Sequence, residues 1–320
     1  MREIMLTVDV EAFPRRAKSK PFQRLIWGYL ENGEGGILGL MRVAEQNGVK
    51  LTMFVDFAEF AVYGNALLEA AQEIRDRGHD LQLHSHPEVL PPEFWKSRSV
   101  APIRDPRRAT LDQSRVMFDY LTTASAKVKG AALVAFRGGA YHFNGNTIQA
   151  MREFGIELNS SYNAGRPLSQ PLDIGIVPTF DWSNGCIEVP ISCLPSFRSL
   201  NRIVEFNFNA GPLLELDRLL EFSDLFWGDP RNQLAVLVMH SWSFSKQYPD
   251  GPDVTYDVLQ PGAAERFDSF LKRIKGSANV VTASELVSRK KSNSSRSNMR
   301  IDIGMAQPRE VQVAVPVSAT

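Results

Sequence analysis

Two rhythms of apolar residues alternate along this chain. Runs such as Ile4-Met-Leu-Thr-Val-Asp-Val-Glu11 and Leu234-Ala-Val-Leu-Val-Met-His240 are apolar at almost every position, the pattern of strands covered on both faces. Between such runs, apolar residues recur every three or four positions, as on a helix with one face against a core. The other strand candidates are Val49–Val55, Asp80–His84, Leu133–Arg137, Leu158–Tyr162, Ile187–Ile191 and Asn279–Thr282. Helical patterns run over Gly36–Asn47, Asn65–Asp76, Arg108–Ala126, Asn146–Phe154, Leu213–Phe222 and Ala263–Lys275. Arg77-Gly78 puts a cation in the last turn before Asp80 and a glycine just after it, a helix stop. Such alternation predicts an α/β protein with a mainly parallel sheet covered by helices, open or closed as a barrel. Phe54, Phe57, Phe60 and Tyr63 recur at helical spacing and read as core.

The polar residues with chemical potential gather at one end of these runs. Asp9 and Glu11, His84 and His86, Arg137 and His240 all fall at or just past the C-terminal end of a predicted strand, where barrels of this class gather their chemistry. Residues i and i+2 of a strand share a face, so Asp9 and Glu11 can aim together, as can His84 and His86. Neutral imidazole is a common metal ligand, and a histidine pair at the end of a buried strand suits a metal site. Two adjacent carboxylates repel unless a cation lies between them. A metal relieves that repulsion: one carboxylate ligates while the other stays free as a general base. Six titratable groups on four strands therefore read as one active site.

Composition narrows the field. With 320 residues, 36 basic and 36 acidic side chains balancing to a net charge of zero, the chain can bury a large core, and nothing in its body resembles a nucleic-acid-binding surface. Cys186 and Cys193 are too few for a disulfide framework or a cysteine–zinc site. The first strand begins almost at once without a secretory pattern, and no apolar run reaches the ~20 residues of a membrane span. A cytoplasmic protein is the expectation. Residues 1–290 read as one catalytic domain, and 291–320, which opens on serine-rich, basic sequence without periodicity, as a disordered tail.

The ordered set Thr7-Val-Asp-Val-Glu11, Arg77-Gly-His-Asp-Leu-Gln-Leu-His-Ser-His-Pro-Glu88, Phe136-Arg-Gly-Gly-Ala-Tyr141 and Val238-Met-His-Ser241 resembles the polysaccharide deacetylase (NodB-homology) family, in an intracellular, divergent branch. The resemblance covers most of residues 1–290 as an ordering of motifs. It implies a distorted (β/α) barrel and a hydrolase that removes acetyl groups from N-acetylated sugars or glycan precursors with a divalent metal, usually zinc. Carried over by position, Asp9 resembles the general base that activates water, and Glu11 stands where relatives with an acid-x-acid pattern place a metal-binding acid. His84 matches the first metal histidine. Arg137 resembles the arginine that orients the base, and His240 the late histidine that protonates the leaving amine.

The motifs depart from the family in two places. A valine separates Asp9 from a glutamate where two adjacent aspartates are usual, so either acid can be the ligand. The second histidine is His86, whereas the usual spacing falls on Glu88, so His86 is the expected third ligand with Glu88 the alternative. Trp95, Tyr141 and Trp242 are candidates for sugar contact, and Ser160-Ser161, at a strand end, for substrate contact. Two other readings share these residues: hydrolysis of a different non-peptide C–N bond on the same fold, and a carbohydrate-binding relative without catalysis.

Overall fold

Period-two alternation decides the layering of the first strand, Glu3–Val10. Ile4, Leu6, Val8 and Val10 face a layer shared with helical residues such as Leu40, Ile74 and Phe118. Met5 faces the other way and joins Phe54, Ala135, Leu158, Val236 and Val238 in a second apolar cluster on the concave side. With both faces covered, the strand reads as an almost unbroken apolar run.

The computed structural model describes residues 2–12, 17, 19–195, 203–209, 215–250, 253–292 and 299–307. Its main sheet runs in the order Leu234–His240, Glu3–Val10, Thr52–Asp56, Asp80–Ser85, Ala135–Gly138, Leu158–Asn159, Ile187–Glu188, Phe180–Trp182 and Arg300–Ile301, with Asn279–Val280 also beside the first strand. All ladders in it are parallel except that between Phe180–Trp182 and Ile187–Glu188. Helices Gly36–Gln46, Asn65–Asp76, Leu111–Ser125 and Gly145–Glu153 supply the crossovers between the central strands. The expected α/β architecture is what forms.

The sheet is strongly curled. Arg137 on Ala135–Gly138 stands three strand steps from Asp9 on Glu3–Val10, about 14 Å in a flat sheet. Side chains stand roughly perpendicular to a sheet and could not join across that gap. Yet Arg137 Nη1 donates to Asp9 Oδ1 at 2.7 Å and to Thr7 Oγ1 at 2.9 Å. The strands must wrap until these side chains face each other, which makes a curled half-barrel. Its path does not close into a ring among the described residues, so the distorted barrel expected from the motifs is present as an open one.

Three features differ from the sequence reading. Helix Ala283–Ser292 extends into the segment expected to be a tail, and Arg300–Ile301 returns to pair with Asp181 and Trp182. Ala306 beyond it is fully buried, so part of 291–320 packs on the domain, because Ile301 and Ala306 supply apolar anchors that a scan for periodicity overlooks. Residues 293–298 and 308–320 of that expectation lie outside the described residues. Phe54 lies on a strand and Phe60 and Tyr63 on a short helix, so their common spacing spans a strand, a turn and a helix. No helix among the described residues is long and apolar enough to cross a membrane.

Arg137 is fully buried and Asp9 nearly so. Removing one partner of such a pair leaves an uncompensated buried charge, a loss of about 3–5 kcal/mol. Arg137→Met is therefore expected to lower the urea midpoint of unfolding relative to the parent chain, by that free energy divided by the slope of the urea dependence. A midpoint within experimental error of the parent would mean that the pair does not hold the curl.

Candidate active site

Register, more than local sequence, assembles the polar groups. Asp9 lies beside His240 on the neighbouring strand, Asp56 beside His84, and His84 beside Arg137. Asp9, Glu11, His84, His86 and His240, five of the six strand-end residues singled out in the sequence, line one cleft of about 410 Å³. Arg137 lies beneath it, its guanidinium over the Phe54 ring at 4.4 Å. Its Nε donates to Ser160 O and its Nη2 to Ser160 Oγ, so all three guanidinium nitrogens have partners.

Glu11, His84 and His86 form the metal-type group. One ligand atom from each lies within 4.8 Å of the others. Glu11 Oε2 is 2.7 Å from His86 Nε2 and 3.4 Å from His84 Nε2. Both ring nitrogens of His84 are buried without a hydrogen-bond partner, a deficit that costs about 1–3 kcal/mol for a neutral group. A cation facing Nε2 would remove it on that side. Two imidazoles and one carboxylate are a donor set used by catalytic zinc, which keeps a further position open. The residues present fit a divalent cation.

The charges around this group oppose its burial. Desolvation alone would push the Glu11 carboxyl up, but the neighbouring His86 and His84 outweigh it and hold Glu11 well below the usual carboxylate range. Burial works against the charged form of both histidines as well, and the acids beside them reverse that: His84 is raised, and His86 is raised well above the ordinary imidazole value by Glu11, Glu88 and Asp56. Glu88 Oε1 lies 2.9 Å from His86 Nδ1. That contact places Glu88 behind the ring, holding it so that Nε2 faces Glu11, as carboxylates commonly do for metal-ligating histidines. Asp9 lies outside the three-residue group because Arg137 occupies its Oδ1.

His240 takes part differently. Its Nε2 is 3.8 Å from Glu11 Oε1, its Nδ1 faces Asn209 Oδ1 at 2.9 Å, and its ring stacks on Trp242 at 4.6 Å. Ser243 Oγ also donates to Asn209 Oδ1 and accepts the His240 backbone N–H. Since the amide oxygen only accepts, Nδ1 carries the hydrogen there and Nε2 is left to the cleft.

Tyr141 and Trp242 are among the residues that line the cleft, Trp242 with only 2% of its surface exposed. Trp95 does not line it: it is 1% exposed and packs edge-on against Phe94 within the core. Its position just after the histidine pair suggested a sugar platform, but a short helix, Pro92–Ser97, turns the indole inward. Ser160 and Ser161 are likewise fully buried, and Ser160 holds Arg137 where substrate contact was expected.

Two acids next to the metal-type group escaped the sequence reading. Asp56 ends its strand and accepts the backbone N–H groups of His86 and Ala58; burial pushes its carboxyl up to about 6 despite His84 and His86 nearby. Glu59 accepts the Ala12 N–H with both oxygens, pinning the chain just after Glu11. Asp56 was discoverable by the same strand-end rule that found Asp9, whereas Glu59 lies in a turn and carries no such signal. In the Gly-Gly-Ala-Tyr segment, Ala140 and Tyr141 both have left-handed backbones, with φ of 50° and 63°, a strained geometry that concentrates at functional sites. A Cβ on Gly139 would meet the His86 ring at 2.6 Å.

No protein-family model matches the chain, and no curated protein matches it in sequence. Solved structures match it in fold. A protein of Mycobacterium smegmatis described as a polysaccharide deacetylase is 16% identical, with a TM-score of 0.58 over 93% of this chain and 94% of that one. A 4-alpha-glucanotransferase from Thermococcus litoralis is 13% identical, with a TM-score of 0.53 over 90% of this chain and 40% of that one. A family 4 carbohydrate esterase pseudoenzyme from Bacillus anthracis is 11% identical, with a TM-score of 0.47 over 94% of this chain and 69% of that one. The resemblance to polysaccharide deacetylases read from motif order is thus borne out in the fold, and at such identities the likeness concerns fold alone.

Two substitutions test the cation group. His84→Ala is expected to abolish stoichiometric zinc binding, measured by competition with a chromophoric chelator. Gly139→Ala removes no ligand but displaces His86, and is expected to weaken zinc about 10- to 100-fold, the scale on which misplaced supporting groups act. Full zinc occupancy in His84→Ala would move the site elsewhere, and unchanged affinity in Gly139→Ala would refute the packing of His86 on that glycine.

Proposed function

We propose that this protein, which shares its fold with a polysaccharide deacetylase, is a metal-dependent hydrolase that removes an N-acetyl group from an amino sugar or glycan precursor. One observation supports this reading above the others: a Glu-His-His group, an arginine-held aspartate and a cleft-facing histidine converge on a single cavity. The combination offers amide hydrolysis a base and an acid in one cavity. Water must lose a proton as it attacks the carbonyl, and the amine must gain one as it leaves.

When bound by Glu11, His84 and His86, a divalent cation such as zinc supplies Lewis-acid polarisation and lowers the pKa of water toward ~7. Asp9 takes the proton of the attacking water at the carboxylate oxygen that Arg137 does not hold. Arg137 keeps that oxygen aimed at the cleft and is a positioning residue. His240, as an imidazolium with its second proton on Nε2, delivers that proton to the amide nitrogen as the C–N bond breaks, releasing acetate and a free amino sugar and leaving a neutral ring with its hydrogen on Nδ1. Asn209 holds the imidazole for this transfer through Nδ1. Tyr141, on the strained backbone, gives the sugar ring aromatic surface to rest on, while the buried Trp242 backs the His240 ring by stacking on it.

The assay is acetate release from N-acetylated sugars presented free, nucleotide-linked and lipid-linked to the zinc-loaded chain. His240→Ala is expected to retain zinc while turnover falls about 10²–10⁴-fold, the usual contribution of a general acid. Loss of zinc in that variant, or near-normal turnover by folded protein, would remove His240 from the acid role. Absence of acetate from every substrate with zinc fully bound would leave hydrolysis of another non-peptide C–N bond in its place, and failure of the parent chain to bind zinc would leave the carbohydrate-binding reading.

A further inference from the structure

The wall of the cleft formed by Arg166, Glu205 and Asn207 has no part in the chemistry above. Arg166 lies in the turn after strand Leu158–Asn159, and Glu205 ends the hairpin strand Ile203–Glu205, where it pairs with Cys193. Arg166 Nε donates to Glu205 Oε1. Among the described residues the two Nη groups of Arg166 and the Oε2 of Glu205 have no further partner. The Glu205 side chain is only 9% exposed, whereas that of Arg166 is 58% exposed and stands toward the mouth. The fit around the acid is close: a Cβ on Gly165 would meet Glu205 Cγ at 2.8 Å.

We infer that Arg166 and Glu205 form a sugar-reading subsite that grips neutral ring hydroxyls of the residue bearing the amide. A hydroxyl is donor and acceptor at once. Its proton can go to Glu205 Oε2 while its lone pair takes an Arg166 Nη–H, and Asn207 offers an amide with both functions beside them. Charge decides against a phosphate or carboxylate in this position. Glu205 already neutralises Arg166, and an added anion would face a largely buried carboxylate. The cleft also has room beyond an acetyl group: about 410 Å³ falls within the usual range of small-molecule pockets. This subsite rests on the reading of the cleft as a site for N-acetylated sugars.

Equilibrium binding to the zinc-loaded full chain tests it. The probes are the methyl glycosides of N-acetylglucosamine, N-acetylgalactosamine and N-acetylmannosamine, their 6-phosphates, and N-cyclohexylacetamide, which keeps ring and amide but lacks every hydroxyl. The parent chain should prefer at least one neutral glycoside to N-cyclohexylacetamide by about 10- to 100-fold, the worth of hydrogen bonds to charged groups. In Glu205→Gln and Arg166→Met that preference should collapse while affinity for N-cyclohexylacetamide stays unchanged. The unchanged control affinity also reports that each variant is folded. For any glycoside that is turned over, KM should rise with kcat little altered.

Three results would overturn the subsite: no neutral glycoside preferred over N-cyclohexylacetamide, a preference that survives both variants, or tighter binding of the 6-phosphates. Binding preference and acetate release separate the two claims. A preference without acetate leaves the subsite standing and refutes the deacetylase, whereas acetate with a preference untouched by both variants does the reverse.

Discussion

Everything in this site hangs on a charge pair that should be costly. Arg137 and Asp9 sit almost wholly out of water, each dependent on the other, on strands that a flat sheet would hold apart. Burying two ions is repaid only when geometry is good and every remaining donor is satisfied. Here Thr7, Ser160 and the Phe54 ring complete the arginine's surroundings. Ser160 is itself fixed by donating to Val189 O. Its neighbours Ser161 and Tyr162 give their backbone N–H groups to the buried Glu188. The pair thus ties the first strand to the far side of the sheet and sets the curvature that lets strand ends converge.

On that frame, the metal-type group is a problem of like and unlike charge in little space. The charge on Glu11 raises both Asp56 and Glu59, and Glu59 is pushed well above its usual range by burial and by Asp56. Two histidines balance them. A divalent cation suits such a place because it satisfies carboxylate and imidazole together, which a proton cannot do. Glu88 and Asp56 stand on either side of His86, one on its ring and one on its backbone, so the ligand is held from two directions. Holding of this kind separates a cluster able to bind a cation from one placed to use it.

Much of this arrangement was legible in the chain because the rule behind it is local. Period two put Asp9 with Glu11 and His84 with His86, and strand ends marked where they would meet. Which acid faces the histidines was not legible, since it depends on Arg137 reaching Asp9 from three strands away. Nor was the place of Glu88, which only the turn after His86 decides. Trp95 misled because proximity in sequence to a ligand says nothing about which side of a helix faces the cleft. Arg166 and Asn209 come from irregular segments and Glu205 from a three-residue strand too short to show a period, and they reach the cleft only through tertiary packing. The return of Ile301 to the sheet was hidden for the same reason.

Anomalous scattering at the zinc edge from crystals of the zinc-loaded chain tests the central claim most directly. The account predicts one strong peak within about 2.0–2.2 Å of Glu11 Oε2, His84 Nε2 and His86 Nε2, with Asp9 still held by Arg137. A peak coordinated by Asp9 in place of Glu11, or no peak among these side chains, would contradict it.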